Sequence, residues 1–430
     1  MNTAANHKVS LIDQNHLLYG NFIGLQYVFA KNLDKTVLAR SVAILINQFP
    51  ALAGRYNTKR GEISWADDGV ALQTRTHNGF ANPQRRTFVE EPNRKDVLNG
   101  SAALSTFTLT ELENGSILGV AISHVLTDAA GYHKIIAHLG QIYTALKTGN
   151  RSSEFPYVTE LEVFKFGTGR KKSETLAELK RRGLAKPIPI RGVLGSLIKP
   201  MIIKAMDKSL SDNPPITLHF TPDQLNRLKH TVRAESGEDW ISTNMALCAH
   251  FTSIIAKLSY GADLKTEMQI GQLLDLRSRY FKASPKAQSA YVGNAILIHI
   301  DKAGFPDGLQ NTSRGALARY FKQRQSKTDK EEVKDKLDLL SDCLRHGYTN
   351  PELDVKNPII SLNNQSKMPV YDIRFDGQKP TRIYPQDVGD NIMFFPASDG
   401  GVEIYIRDIV NPQGQRKLLL PEWQARIFDF

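Results

Sequence analysis

Residues 115–146, GSILGVAISHVLTDAAGYHKIIAHLGQIYTAL, leave little freedom in what they can fold into. The run Ile117–Ile122 has the length and β-branched content of a buried strand. Further on the apolar residues change period, and Ile135, Ile136, Leu139, Ile142, Tyr143 and Leu146 fall at helical spacing. Between the two lies the turn His124-Val-Leu-Thr-Asp128-Ala-Ala-Gly131. A strand ending at His124 and a helix starting near Asp128 leave an imidazole at a strand terminus. Loops held by rigid elements are where catalytic side chains are disproportionately found.

Spacing alone does not single this turn out. The chain has 11 histidines, and His219 to Asp223 repeats the same interval in LHFTPDQLNRL. There Thr221 reads as an N-cap, Pro222 as the first helical residue and Asp223 as a first-turn acid, so capping accounts for the whole pattern. The turn at His124 has no such complete local explanation, although Asp128 also suits a simple N-cap.

The chain of 430 residues is long enough for two ordinary domains, each with its own core. Hydrophobic residues at 41% and charged residues at 23% are those of a globular protein, neither disordered nor membrane-embedded. The start, MNTAANHKVSLIDQNH, has no apolar signal region, and no run approaches a membrane span. Cys248 and Cys343 offer neither a disulfide framework nor metal-ligand spacing, so reduced cysteines, no metal and a cytoplasmic location are expected. The net charge of +11 points to an anionic partner, whether nucleic acid, an acidic membrane surface or a phosphate-bearing cofactor. No helix-turn-helix, zinc-finger or RNA-binding strand motif is present, so nucleic acid is not expected.

In chain order, Phe22–Phe29 reads as a strand, and 31–49 reads as a helix capped by Asn32 or Asp34 and ended by Pro50. Short strands are expected near 63–65 and 71–74, then strands 105–112 and 117–122 joined by the turn Glu113-Asn114-Gly115. Residues 165–208 hold 12 Lys or Arg against 3 Asp or Glu, with recurring Gly and Pro, as in a linker between domains. Its part 193–203 mixes apolar and basic residues; a linker helix packed on the protein is favoured over a membrane-surface helix. Beyond it come strand 216–220, a helix 245–258 capped by Ser242-Thr243-Asn244, strands 269–274 and 296–300, and charged helical material over 314–345. The end is expected to be β-rich, at 370–375, 392–395 and 402–406. The expected division is 1–164, a basic crossover at 165–208, and 209–430.

Several short motifs occur in order along the chain: Leu11-Ile-Asp13-Gln14, FPALAGRY from Phe49, HxxxDxxG from His124, ISTNMALCAH from Ile241, DLRSR from Asp275, YVGNA from Tyr291 and FPASDGG from Phe395. In their order and spacing the chain resembles the BAHD acyltransferases, within the larger chloramphenicol acetyltransferase-like group, over nearly its whole length. The resemblance implies an α/β fold of two similar domains, each a mixed β-sheet backed by helices. It also implies an active-site channel at their interface, entered by acyl-CoA on one side and the acceptor on the other. It gives His124 the role of general base and Asp128 an arginine partner, Arg277, the pair positioning His124, with Gly131 allowing a close backbone approach. No tightly bound cofactor is implied; acyl-CoA is the co-substrate and a small alcohol or amine the acceptor. Two domains in one chain allow a complete site in a monomer, which is expected, and membrane contact is not favoured.

The chemistry fits the residue types. Acyl transfer from a thioester to a hydroxyl or amine needs a proton removed, and a histidine with an ordinary pKa near 6.5 accepts one at neutral pH. The chain departs from the family where DFGWGKP is usual: Arg374-Phe-Asp-Gly-Gln-Lys379-Pro380 keeps Phe375, Lys379 and Pro380 alone. Asn363 and Asn364 stand where a Thr-Ser-Trp run is common, either as loop asparagines or as donors to a developing oxyanion. Two other readings stay open: a condensation-type enzyme fed by a carrier-protein thioester, and a catalytically idle binding protein. Condensation enzymes usually carry a second histidine directly before the first, where this chain has Ser123.

Overall fold

The structure is a computed structural model. It describes all residues except 1–6, 10–12, 14–21, 58–60, 65–68, 79–87, 152, 158–165, 185–186, 188–213, 261–267, 281–284, 303–304, 306–307, 328, 355–356, 358, 387–391 and 408–411. Most of the Leu11–Gln14 motif and the apolar-basic stretch 193–203 therefore lie outside the described residues.

The strands in chain order are β1 (His7–Lys8), β2 (Phe22–Phe29), β3 (Arg55–Asn57), β4 (Glu62–Ser64), β5 (Leu72–Thr76), β6 (Ser105–Leu112) and β7 (Gly115–Ser123). They continue with β8 (Ile216–Phe220), β9 (Gln269–Asp275), β10 (Ile296–Lys302), β11 (Ile359–Asn364), β12 (Arg382–Pro385), β13 (Ile392–Pro396) and β14 (Val402–Ile406). Among the described residues the helices of fourteen residues or more are α1 (Lys35–Gln48), α2 (Ala129–Thr148), α3 (Pro222–Ser236), α4 (Thr243–Tyr260), α5 (Arg314–Lys327) and α6 (Lys330–Arg345).

The chain forms two compact units. The first takes Met1–Lys165, Tyr280–Ala295 and Pro369–Asp387; the second takes Phe166–Arg279, Ile296–Met368 and Val388–Phe430. Two pieces of the expected 209–430 domain thus belong to the first unit. Part of the expected crossover belongs to the second, where Gly167 N donates to Asp338 Oδ1 at 2.7 Å and Thr168 Oγ1 to Asp342 Oδ2 at 2.7 Å, both on α6.

The first unit is built on a mixed five-stranded sheet in the order β12-β2-β7-β6-β5, with β5 and β6 parallel and the other pairs antiparallel. All nine residues of β7 are buried, which is why its sequence runs apolar without alternation. Helix α2 is tied to that strand by Tyr132, whose hydroxyl donates to Val120 O at 2.9 Å, and to the start of α1 by Tyr143, whose hydroxyl accepts from Asp34 N at 2.8 Å. Asp34, not Asn32, caps α1, accepting from Thr36 N and Val37 N. Residues 88–91 cross the sheet, held where Phe88 N donates to Gln26 Oε1 at 2.8 Å.

The segment 369–387 corrects one expectation and adds a strand. Residues 370–375 are not a strand: Val370–Asp372 form a 3₁₀ turn, and Phe375 and Gln378 close a tight bridge through Asp376 (φ 51°) and Gly377 (φ 75°). The 3₁₀ turn at Val370–Asp372 leaves no extended run, and the left-handed pair Asp376-Gly377 then reverses the chain. Beyond that turn an unforeseen strand, β12, joins the sheet edge against β2. The segment docks on α2, where a Cβ on Gly140 would lie 2.2 Å from Arg374 O and where Asp376 N donates to Thr144 Oγ1 at 2.8 Å. Phe375 is fully buried, edge-on to Phe29 and Tyr143 with centroids 5.4 and 5.5 Å away.

The second unit is a mixed six-stranded sheet in the order β10-β9-β11-β13-β14-β8. Its core gathers Phe220, Leu228, Phe251, Leu317 and Phe394 from strands and from α3, α4 and α5. The capping predicted for His219–Asp223 is present: Gln224 N donates to Thr221 Oγ1, the Gln224 side chain reaches back to Thr221 N, and Gly237 ends α3 in the left-handed region. Asn363 and Asn364 are not in a loop but end β11, in register with Met393 and Phe394 of β13. The parallel pairing with β13, which alone reaches these two residues, overrides the poor strand propensity of asparagine.

If the altered motif at 374–380 keeps its structural role through Phe375, then Phe375→Ala should cost about 3–5 kcal/mol. Denaturant unfolding measures it, and a loss below about 1 kcal/mol would contradict the assignment.

Candidate active site

Strand β7 ends at Ser123 and α2 begins at Ala129, so the five residues 124–128 form the turn expected between them. Leu126 N donates to Ser123 O at 3.0 Å, folding the chain back at the strand end. Asp128 is the N-cap of α2, and its Oδ1 accepts from Gly131 N at 3.0 Å. Its other oxygen reaches much further along the chain: Ala295 N donates to Oδ2 at 2.8 Å. A carboxylate 2% exposed thus serves both as helix cap and as the anchor for a second segment.

That segment is Tyr291–Ala295, within the part of the first unit that spans Tyr280–Ala295. Thr127 Oγ1 donates to Val292 O at 2.6 Å. Lys134 Nζ donates to Tyr291 O at 3.2 Å, and the Tyr291 hydroxyl donates to Asn294 O at 3.3 Å. Val292 lies so close to the first turn of α2 that a Cβ on Gly131 would sit 1.9 Å from its carbonyl oxygen. Gly131 is therefore required for backbone approach.

The segment brings Asn294 against His124. Asn294 Nδ2 donates to the His124 carbonyl at 2.7 Å, while Asn294 Oδ1 faces His124 Nδ1 at 3.1 Å. The first bond orients the amide, because the reverse orientation would set two carbonyl oxygens against each other. Oδ1 can only accept, so the partly buried neutral imidazole carries its proton on Nδ1 and its lone pair on Nε2. Burial lowers the His124 pKa below 6.5, opposed by its own backbone carbonyl, the Asp128 charge and Asn294. The ring is thus a neutral base at neutral pH, with a fixed tautomer.

A second histidine on α2, His133, is buried, and burial pushes its pKa down to about 3. No expectation from the sequence concerned it.

The remaining predicted site residues fall in the second unit. Arg277 opens a short helix, Arg277–Tyr280, directly after β9; its side chain is buried, and its Nη1 donates to Asp275 Oδ1 at 3.2 Å. Asn364 uses its amide locally, donating to Asn244 Oδ1 on α4 and accepting from Ser366 N at 2.9 Å and Ser366 Oγ at 2.7 Å. Asn363 Oδ1 accepts from Gln365 Nε2 at 3.3 Å.

Asn294, Thr127 and Ala295 make contacts around His124 and Asp128 that reading residue by residue missed. YVGNA was visible as a motif, but nothing local shows that Asn294 meets a side chain 170 positions earlier.

The Transferase family model matches residues 10–407, and the chain belongs to that family, the BAHD acyltransferases. The fold is shared with F. sporotrichioides TRI101, solved with coenzyme A and T-2, at a TM-score of 0.70 and 15% identity, covering 98% of each chain. Vinorine synthase matches at 0.65 and 15% identity, covering 96% of this chain and 92% of that one. The first condensation domain of the CDA synthetase matches at 0.56 and 13% identity, over 99% and 96%. A search of curated proteins by sequence finds no match.

The buried histidine gives a stability prediction. The unfolded chain protonates His133 near pH 6.5, whereas the folded protein holds it neutral down to about 3. The unfolded state therefore binds more protons in that window, and stability falls as the pH drops through it. In denaturant unfolding between pH 7 and 4, His133→Gln should lose stability less steeply than wild type; equal slopes would contradict this.

Proposed function

We propose that the protein transfers an acyl group from acyl-CoA to a hydroxyl or amine of a small-molecule acceptor, in a direct transfer with His124 as general base. The acceptor's proton passes to His124 Nε2 as its oxygen or nitrogen attacks the thioester carbonyl. The tetrahedral intermediate then expels the CoA thiolate, which takes that proton back from Nε2 as the free thiol. Ester or amide and CoA leave, the imidazole is neutral again, and no acyl-enzyme is needed. The observation that carries this reading is the paired contact of Asn294 with His124, which supports a lone pair held on Nε2. Family membership and the coenzyme A complex of TRI101 support CoA as the donor's carrier. Ser123 before His124 speaks against a carrier-protein donor.

Asp128 and Gly131 act on this reading as positioning residues, through the helix cap, the bond to Ala295 N and the close approach of Val292. Arg277 has a structural role: a guanidinium 4% exposed must find its counter-charge in the protein. The bonds of Asn364 to Asn244 and Ser366 favour a structural part for it over contact with substrate.

The test is release of free thiol from an acyl-CoA panel with mixed alcohols and amines, comparing wild type with His124→Ala at equal thermal stability. Acceptor-dependent release should fall about 10²–10⁴-fold in the variant. Release that persists would remove His124 as the base, and the absence of both turnover and CoA binding would favour a carrier-protein donor or the idle reading. With the lowered pKa of His124, the acidic limb of kcat/KM should lie below pH 6.5; a limb above 6.5 would contradict the assignment. Asn294→Ala should lower kcat by about ten-fold or more with KM little changed, whereas an unchanged kcat would make Asn294 merely a packing residue.

A further inference from the structure

The second unit carries an exposed apolar turn that the acyltransfer reading does not use. It lies in Gln415-Arg-Lys-Leu-Leu-Leu-Pro-Glu-Trp423, between the short helices Pro412–Lys417 and Pro421–Ile427. Leu418 is fully buried in the core, but Leu419 is 62% exposed and Leu420 44%. Among the described residues four large apolar side chains are exposed, and these two are consecutive.

Their exposure is built in rather than left over from a loose end. Leu418 N, Leu419 N and Leu420 N donate to Gln415 O, Arg416 O and Lys417 O at 3.1, 3.1 and 2.9 Å, a run of tight turns that drives the two leucines outward. Gln415, itself buried, donates to Pro214 O at 2.9 Å, and the Gln424 side chain donates to Leu418 O, so both sides of the turn are pinned.

The surroundings are cationic. Arg416, Lys417 and Arg426 are exposed and have no ion-pair partner among the described residues. Arg426 lies over the ring of Trp423, 4.8 Å from its centroid, and that ring is partly exposed beside the leucines in sequence. Glu422 is the one acid within 416–426. An exposed leucine pair beside Lys and Arg that lack ion-pair partners among the described residues, next to a tryptophan packed partly on the core, is chemistry suited to lie shallowly in a bilayer surface carrying negative headgroups.

We propose that the turn Arg416–Trp423, with Arg426, docks on an anionic lipid surface, with Leu419 and Leu420 entering the headgroup boundary. Contact through so small a tip is reversible and salt-sensitive, since one short apolar segment does not anchor a protein stably. This inference does not depend on the acyltransferase reading, because its readout is binding alone.

The test is co-sedimentation with phosphatidylcholine vesicles, with and without phosphatidylserine, at low and high salt. Wild type should bind the serine-containing vesicles alone and be released by salt. Arg416→Gln with Lys417→Gln should bind about 30-fold more weakly, both sites being exposed. Leu419→Asp with Leu420→Asp should abolish binding, with melting curves confirming that both variants fold. Absence of wild-type binding, or binding unchanged in the charge variant, would overturn the proposal. So would a concentration-dependent dimer in the wild type that the leucine variant removes, because the tip would then meet a second copy.

Discussion

Two hydrogen bonds running in opposite directions between His124 and Asn294 fix the orientation and tautomer of the imidazole in the first unit. An imidazole at the end of a strand is free to present either nitrogen, and in its neutral form half of its chemistry depends on which one carries the proton. Asn294 removes that freedom, since its amide nitrogen is committed to the His124 carbonyl and its oxygen must take the proton of Nδ1. The clamp in turn depends on holding residues 291–295 against the first turn of α2. Asp128, Thr127 and the missing side chain of Gly131 do that together.

Seen this way, the HxxxDxxG spacing is one local device with several jobs. The aspartate caps the helix that follows the histidine, which was its plain structural reading, and the same carboxylate fixes the segment that orients the histidine. A carboxylate has two oxygens, and here one caps the helix while the other accepts from Ala295 N. The glycine one turn into the helix completes the fit.

Local patterns in the sequence were legible where the physics is local. The apolar run of β7, the helical period of α2, and the caps at Asp34, Thr221 and Asp128 each depend on a few neighbouring residues. What stayed hidden depends on partners far along the chain. Asn294 is an ordinary asparagine until His124 is beside it. Asn363 and Asn364 look like loop residues until β13 lies alongside. The apolar residues 370–375 look like a strand until Asp376 and Gly377 turn left-handed and Phe375 is drawn into the core between Phe29 and Tyr143. That last segment also shows why a motif can lose most of its letters: the buried phenylalanine and the docking on Gly140 remain, and those carry the packing.

The most direct test of this account is the ¹⁵N NMR spectrum of the His124 ring at pH 7.5, assigned by comparison with His124→Ala. A neutral ring protonated at Nδ1 is expected, with the Nε2 shift of an unprotonated nitrogen, and that single-tautomer pattern should be lost in Asn294→Ala. A ring protonated at Nε2, or one unaffected by removal of Asn294, would contradict it.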